Sequence, residues 1–152
     1  RRILNENGLF DALRDFHRDG GALYGSCAGL ILLAVSVSNP AQESLGLIDL
    51  DVIRNGYGRQ IDSFEAMGSP EPGGPFEGCE LPMVFIRAPR IRRVGPAVRV
   101  LARHRDEPVM AREGSVLVAA FHPELTDDPA VHRYFCEMVA RSQEPSARER
   151  DP

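Results

Sequence analysis

The chain has 152 residues, 43% of them hydrophobic and 26% charged, with 18 basic residues against 22 acidic ones. Every basic residue is arginine, which excludes Schiff-base, P-loop and general-base lysine chemistry, and the formal charge of -4 argues against a generic nucleic-acid binder. The length fits one domain, and the longest nearly apolar run, Leu30 to Val37, is far short of the ~20 residues that cross a bilayer.

Leu4, Leu9, Leu13 and Phe16 recur near a 3.6-residue period, which predicts a helix closed by Gly20-Gly21. Arg1-Arg2 leads into this amphipathic pattern and not into the apolar core of a signal peptide. Ala22-Leu23-Tyr24 reads as a short buried strand. Residues 28–37 (AGLILLAVSV) are apolar on nearly every side, which predicts a helix buried behind a sheet and ended by Asn39-Pro40. Ile48 to Arg54 alternates as a strand, and Arg59 to Glu65 either pairs with it or begins a surface loop. The proline- and glycine-rich stretch 68–82 is expected to be a loop, with Cys79 exposed inside it. Strands are predicted at Met83–Arg87, Ala97–Ala102 and Ser115–Phe121, with Arg103–Pro108 a polar turn. Pro129 opens a final helix carrying Val131, Tyr134, Phe135, Met138 and Val139, and residues 143–152 form a polar tail. The order is that of an α/β domain, although it opens on a helix where a buried strand is usual. The three cysteines form no C-x-x-C pair, so a disulfide scaffold, a zinc site and a redox site are not expected, and the chain reads as a reduced cytoplasmic protein.

The chemistry concentrates in two places. Gly25-Ser26-Cys27-Ala28-Gly29 stands between an apolar strand and an apolar helix with the spacing of a nucleophile elbow, cysteine replacing serine. Small neighbours relieve the crowding of a strained turn. The following helix is expected to aim its N-terminal dipole at Cys27 and favour the thiolate, and the Ala28 N–H to serve as an oxyanion donor. The second place is Phe121-His122-Pro123-Glu124. His122 follows a buried strand and should project from the C-terminal edge of the sheet, with Glu124 placed to fix its tautomer as the third member of a triad. Each has a bland reading as well: a small buried cysteine in a glycine-rich turn, and a loop histidine beside a solvated glutamate.

The elbow YGSCAGLILLA and the terminal FHPEL resemble the class I, triad-type glutamine amidotransferases. Arg54-Asn55-Gly56-Tyr57-Gly58-Arg59-Gln60 with Asp62-Ser63-Phe64-Glu65-Ala66, Phe85-Ile86-Arg87-Ala88-Pro89, and His122 to Thr126 followed by Asp128 narrow the resemblance to the glutaminase subunits of pyridoxal 5'-phosphate synthase. It extends from Arg1 to about Ser142. It implies a three-layer, flavodoxin-like α/β fold over residues 1–142, with Cys27 as nucleophile and His122 and Glu124 completing the triad. It also implies that Arg54 and the Ile86-Arg87 pair contact the glutamine; a guanidinium can grip the substrate's α-carboxylate through two charge-assisted hydrogen bonds. The implied reaction is hydrolysis of L-glutamine to glutamate and ammonia without cofactor or metal. The implied partner is the synthase (lyase) subunit, which uses the ammonia to build pyridoxal 5'-phosphate on lysines that this chain lacks, and without which the glutaminase stays idle. Neither nucleic acid nor membrane is an expected partner.

Two departures from the family pattern stand out. The family's chains carry an upstream strand–helix–strand unit ending in a G-G-E-S-T loop, so residues 1–142 are expected to be an N-terminally incomplete domain lacking a second oxyanion donor. The stretch 68–82 is also longer than the family's usual connection. Two rival readings follow: another cysteine-elbow amidotransferase or peptidase-like hydrolase, and a non-catalytic binding or scaffold subunit. The remaining residues are expected to be structural. His17 would lie on the solvent side of the first helix, His104 in a polar turn, His132 in the last helix and Cys136 toward the core. Arg87, Arg90, Arg92 and Arg93 could face a partner or phosphate, with a solvated rim as the default.

Overall fold

In the computed structural model the described residues are 8–56 and 63–143. The expectations placed on Leu4, on Tyr57 to Asp62 and on the tail from residue 144 lie outside them. Helix α1 (Leu9–Arg18) turns Phe10 into the core; Asp11 in its first turn and Arg18 in its last complement the helix dipole. Its C-terminus closes through a Gly21 N–H to Phe16 C=O bond of 2.8 Å. His17, expected on the solvent side, is half-buried with Nδ1 3.3 Å from Ser115 Oγ.

Strand β1 (Leu23–Ser26) leads through Cys27 into helix α2 (Ala28–Leu33), which packs on β1 and on a later strand. The helix predicted through Val37 stops four residues early. At Ala34 the backbone turns extended (φ -62°, ψ 154°) and β2 (Ala34–Ser38) begins. The β-branched Val35 and Val37 alternate with serines, a pattern that suits a strand, but the apolar run in front of them masks the change of period. β2 pairs in parallel with β3 (Ile48–Ile53), which pairs antiparallel on its other side with β6 (Arg90–Val94). The sequence RIRRV did not announce a strand. What makes it one is cross-strand charge: Arg93 donates to Asp49 Oδ1 at 2.6 Å and to Asp51 Oδ2 at 2.8 Å on β3.

The second sheet has six strands in the order β1-β9-β8-β7-β4-β5, formed by β4 (Ser63–Pro70), β5 (Leu81–Ile86), β7 (Arg99–His104), β8 (Glu107–Glu113) and β9 (Val116–Ala119). Strand β8 was hidden in the sequence. The predicted polar turn Arg103–Pro108 narrows to Arg105 and Asp106, with φ of 48° and 65°. Two consecutive positive φ values make the tight turn that matches strand twist, usually supplied by Asn-Gly. Here Arg-Asp supplies it and the neighbouring residues stay in the strands. Likewise the loop predicted at 68–82 shrinks, since β4 runs on to Pro70 and β5 starts at Leu81. Cys79 is exposed in it as expected.

Strand β9 is buried along its whole length between β1 and β8, and Phe85, Phe121, Leu117 and Met110 fill the core beside it. Phe64 stacks on Phe85 with ring centroids 4.6 Å apart, and His104 packs against both rings. A 3-10 turn (Pro123–Leu125) precedes helix α3 (Ala130–Ser142), which buries Val131 and Met138. Cys136, expected to face the core, is exposed: two residues from Met138 and five from Val131, it falls on the opposite face of a 3.6-residue helix. Among the described residues no helix is long and apolar enough to cross a membrane.

Candidate active site

β1 and β9 run parallel in the register Leu23↔Val116 to Ser26↔Ala119, so their C-terminal ends stop side by side. Open α/β sheets build their sites at such ends. Cys27 is the first residue past β1, and its N–H donates to Ala119 C=O at 2.8 Å, extending the ladder by one rung. Its backbone then bends sharply, with φ 46° and ψ -98°. Side-chain residues avoid that region at a cost of order 1–3 kcal/mol and persist there only where the surroundings enforce it. Here the ladder fixes one side and α2 the other. Gly25 makes the tight fit feasible: a Cβ there would stand 2.6 Å from the Gly29 carbonyl carbon and 2.7 Å from Leu33 Cδ1. The elbow predicted from G-S-C-A-G is therefore present, strain included.

His122 lies three residues past β9, with the fully buried Phe121 behind it. Its N–H donates to Val84 C=O at 2.8 Å, and its Nδ1 is 2.6 Å from Glu124 Oε1. The carboxylate thus claims one ring nitrogen and leaves Nε2 as the other. Burial alone would raise the Glu124 pKa, but the His122 hydrogen bond and the nearby imidazoles of His122 and His132 hold it below the usual carboxylate value. Cys27 Sγ lies 3.8 Å from Ile86 C=O. The last residues of β5 therefore tie to both predicted reactive groups, Val84 through the backbone of His122 and Ile86 through the sulfur of Cys27. Nothing in the sequence pattern announced that role for Val84.

The expected thiolate preference is corrected. Burial pushes the Cys27 thiol above its ordinary value of about 9; the Ala28 N–H draws it down by less, and the Glu124 charge adds to the rise. Helix α2 has only six residues, too short for its dipole to outweigh desolvation. An acid whose neutral form is favoured releases its proton later as pH rises. Peptide-resolved iodoacetamide labelling of the isolated chain should therefore show Cys27 reacting more slowly than a free cysteine peptide at pH 7–9, with its midpoint above pH 9. A midpoint at or below that of the free peptide contradicts this account.

Arg54 follows β3, is half-buried, and donates Nη1 to Gln42 Oε1 at 2.8 Å. That partner is neutral, so it orients the guanidinium without cancelling its charge. Gln42 was not singled out from the sequence. Gly56, in the same turn, donates to Ala88 C=O at 3.2 Å, which ties the Arg54 turn to the one containing Arg87. Arg87 is exposed, with φ 45° immediately after Ile86. The structure thus pairs Cys27 with Ile86 and His122 with Glu124, anchors both pairs on strand β5 through Ile86 and Val84, and ties the Arg54 turn to the one containing Arg87. The predicted solvated rim is only partly solvated: Arg90 pairs with Glu107 and Arg93 with Asp49 and Asp51. Among the described residues no cluster of His, Cys, Asp and Glu has metal-site geometry.

Comparison with known proteins adds an independent line. The sequence profile of the SNO glutamine amidotransferase family matches residues 1–141. The chain is 51% identical over 144 residues to the "Pyridoxal 5'-phosphate synthase subunit PdxT" of Deinococcus radiodurans, covering 91% of this chain and 71% of that one. It is 49% identical over 140 residues to the protein of the same name from Thermus thermophilus, with the same coverage. A solved structure described as a glutamine amidotransferase superposes with a TM-score of 0.82 at 44% identity, over 91% of this chain and 72% of the other. A putative GMP synthase subunit from Thermoplasma acidophilum shares the fold at a TM-score of 0.62 and 14% identity, covering 93% of this chain and 69% of its own.

Proposed function

The chain belongs to the SNO glutamine amidotransferase family, and from that membership we propose that it hydrolyses L-glutamine to L-glutamate and ammonia for a synthase subunit that assembles pyridoxal 5'-phosphate. The observation that carries the reading is the joint placement of a strained cysteine elbow and a glutamate-oriented histidine on two adjacent parallel strand ends. Residues 1–142 form the glutaminase unit, it works in the cytoplasm, and it needs no cofactor for this chemistry.

Cys27 is the nucleophile. At rest it holds its proton. Glu124, ionised at neutral pH, holds the Nδ1–H of His122 and leaves Nε2 free to take that proton as sulfur attacks the side-chain carboxamide carbon of glutamine. The carbonyl electrons move onto oxygen, where the Ala28 N–H donates to the oxyanion. His122 passes the proton to the departing nitrogen, ammonia leaves, and a γ-glutamyl thioester remains on Cys27. His122 next draws a proton from a water that attacks the thioester; glutamate leaves and the thiol recovers its proton. The Ile86 carbonyl and the Arg87 turn hold the polar end of the substrate, and Arg54, oriented by Gln42, receives the α-carboxylate.

This assignment predicts the kinetic signature of Arg54→Gln. Losing a charge-assisted contact to a non-reacting carboxylate is uniform binding loss, so KM for glutamine should rise about 10- to 100-fold while kcat changes little. Steady-state kinetics of the complex with the synthase subunit check it; a large fall in kcat at unchanged KM would remove Arg54 from the substrate site. The whole reading is tested by ammonia release from that complex, argued below for Cys27.

A further inference from the structure

A second concave site lies away from the elbow, between helix α3 and the loop joining β4 to β5. It is a cleft of about 580 Å³ that shares no lining residue with Cys27, His122 or Glu124. Four arginines line it: Arg99 and Arg112 from the sheet, Arg133 and Arg141 from α3. One carboxylate lines it with them, Glu137, which reaches Arg141 at 3.6 Å across one helical turn. Elsewhere Arg14, Arg18, Arg90, Arg93 and Arg103 each meet a carboxylate. Arg99, Arg112 and Arg133 have no acidic partner among the described residues. Three guanidiniums that line one cleft without a carboxylate partner among the described residues are an electrostatic cost unless an anion meets them.

Two of these guanidiniums, those of Arg99 and Arg112, are also held in position. Arg112 donates Nε to Gly114 C=O at 2.8 Å and Nη1 to Tyr134 Oη at 2.7 Å, which leaves Nη2 for a ligand. Arg99 donates Nη2 to Gly73 C=O at 2.6 Å, which leaves Nε and Nη1. Preorganised donors lose less freedom on binding. The ring of Tyr134, edge-on to the buried Phe76 at 5.2 Å, offers a flat wall for an organic body.

We propose that this cleft binds a small phosphomonoester, its phosphoryl oxygens held by Arg99, Arg112 and Arg133 and its organic part against Tyr134. A monocarboxylate offers two oxygens, too few to engage three separate forks, whereas a phosphate dianion offers three and the matching charge. The volume is that of a small-molecule site, and the net charge of -4 on the chain disfavours a polyanion such as nucleic acid.

Calorimetry on the whole chain in dilute chloride buffer, with phenyl phosphate, inorganic phosphate and benzoate as probes, tests this. Phenyl phosphate should bind saturably at one site below about 1 mM, more tightly than inorganic phosphate, with benzoate silent. Cys79 lines the same cleft, so its alkylation should slow as the ester fills it while that of Cys136 does not. Arg133→Gln, an exposed change that spares the fold, should weaken the ester about 10-fold. Arg14→Gln, which removes a carboxylate-paired arginine, should leave binding unaltered. Equal affinity of Arg133→Gln and the parent, benzoate binding as tightly as the ester, or Cys79 labelling indifferent to ligand would overturn the proposal. Inorganic phosphate binding as tightly as phenyl phosphate would assign the cleft to free phosphate and overturn the ester. None of these readouts depends on glutamine hydrolysis, so they stand or fall apart from the glutaminase reading.

Discussion

Replacing Cys27 by alanine should lower ammonia release from glutamine, in the complex with the synthase subunit, by about a millionfold. The size follows from the role: a nucleophile and its base act as a unit, and removing the nucleophile alone costs about as much as removing the whole set. Stability should hardly move, because the lost atom is a half-buried sulfur whose contact to the Ile86 carbonyl is a long one of 3.8 Å. Cys27→Gly separates chemistry from architecture further. Glycine is at ease at φ 46°, so it should be equally inactive yet more stable than the parent by about 1 kcal/mol, the strain that cysteine carries there. Ammonia assay and thermal melting of the three proteins decide the matter. Equal ammonia release by the parent and Cys27→Ala would sink the glutaminase assignment and leave the scaffold reading standing.

The second large effect belongs to Glu124. Glu124→Gln keeps the size of the side chain and its reach to His122 Nδ1, but an amide can also donate, so the tautomer of the imidazole is no longer fixed. A fall in kcat of about 1,000- to 10,000-fold is expected with KM for glutamine nearly unchanged, as for other triads that lose the orienting carboxylate. The carboxylate's lowered pKa adds a pH signature. In the unfolded chain the group titrates near its ordinary value of about 4.5, and in the folded protein lower. Its contribution to stability is therefore present above that ordinary value and is lost as pH falls through the folded one. Acid unfolding of Glu124→Gln should accordingly depend less on pH below 4.5 than that of the parent. If the variant keeps more than a tenth of the parent's kcat, Glu124 does not orient the base.

How far the sequence disclosed these features varies with the kind of signal. The elbow was legible because its chemistry needs a local pattern: an apolar strand, two glycines around a nucleophile, an apolar helix. His122 and Glu124 were legible for the same reason, as residues just past a buried strand. What stayed hidden depends on distant partners. Strand β6 is a run of arginines until Asp49 and Asp51 on β3 give it a neighbour. Strand β8 begins inside what reads as a polar turn, because Arg105 and Asp106 do the work usually given to Asn-Gly. β2 was absorbed into a helix because apolar runs carry no period. Gln42 and Val84, which orient Arg54 and His122, bear no local mark at all.

The parallel ladder between β1 and β9 joins residues 93 positions apart, Leu23 with Val116. Closing so wide a loop in an unfolded chain costs more entropy than the short hairpin β7–β8 or the β8–β9 pair, which can form first and shorten the remaining path. Cys27 and His122, which follow these two strands, are therefore expected to come together late in folding. On the proposed assignment, a nascent or partly folded chain should hold these residues apart, and hydrolysis of glutamine should wait until the tertiary structure is complete.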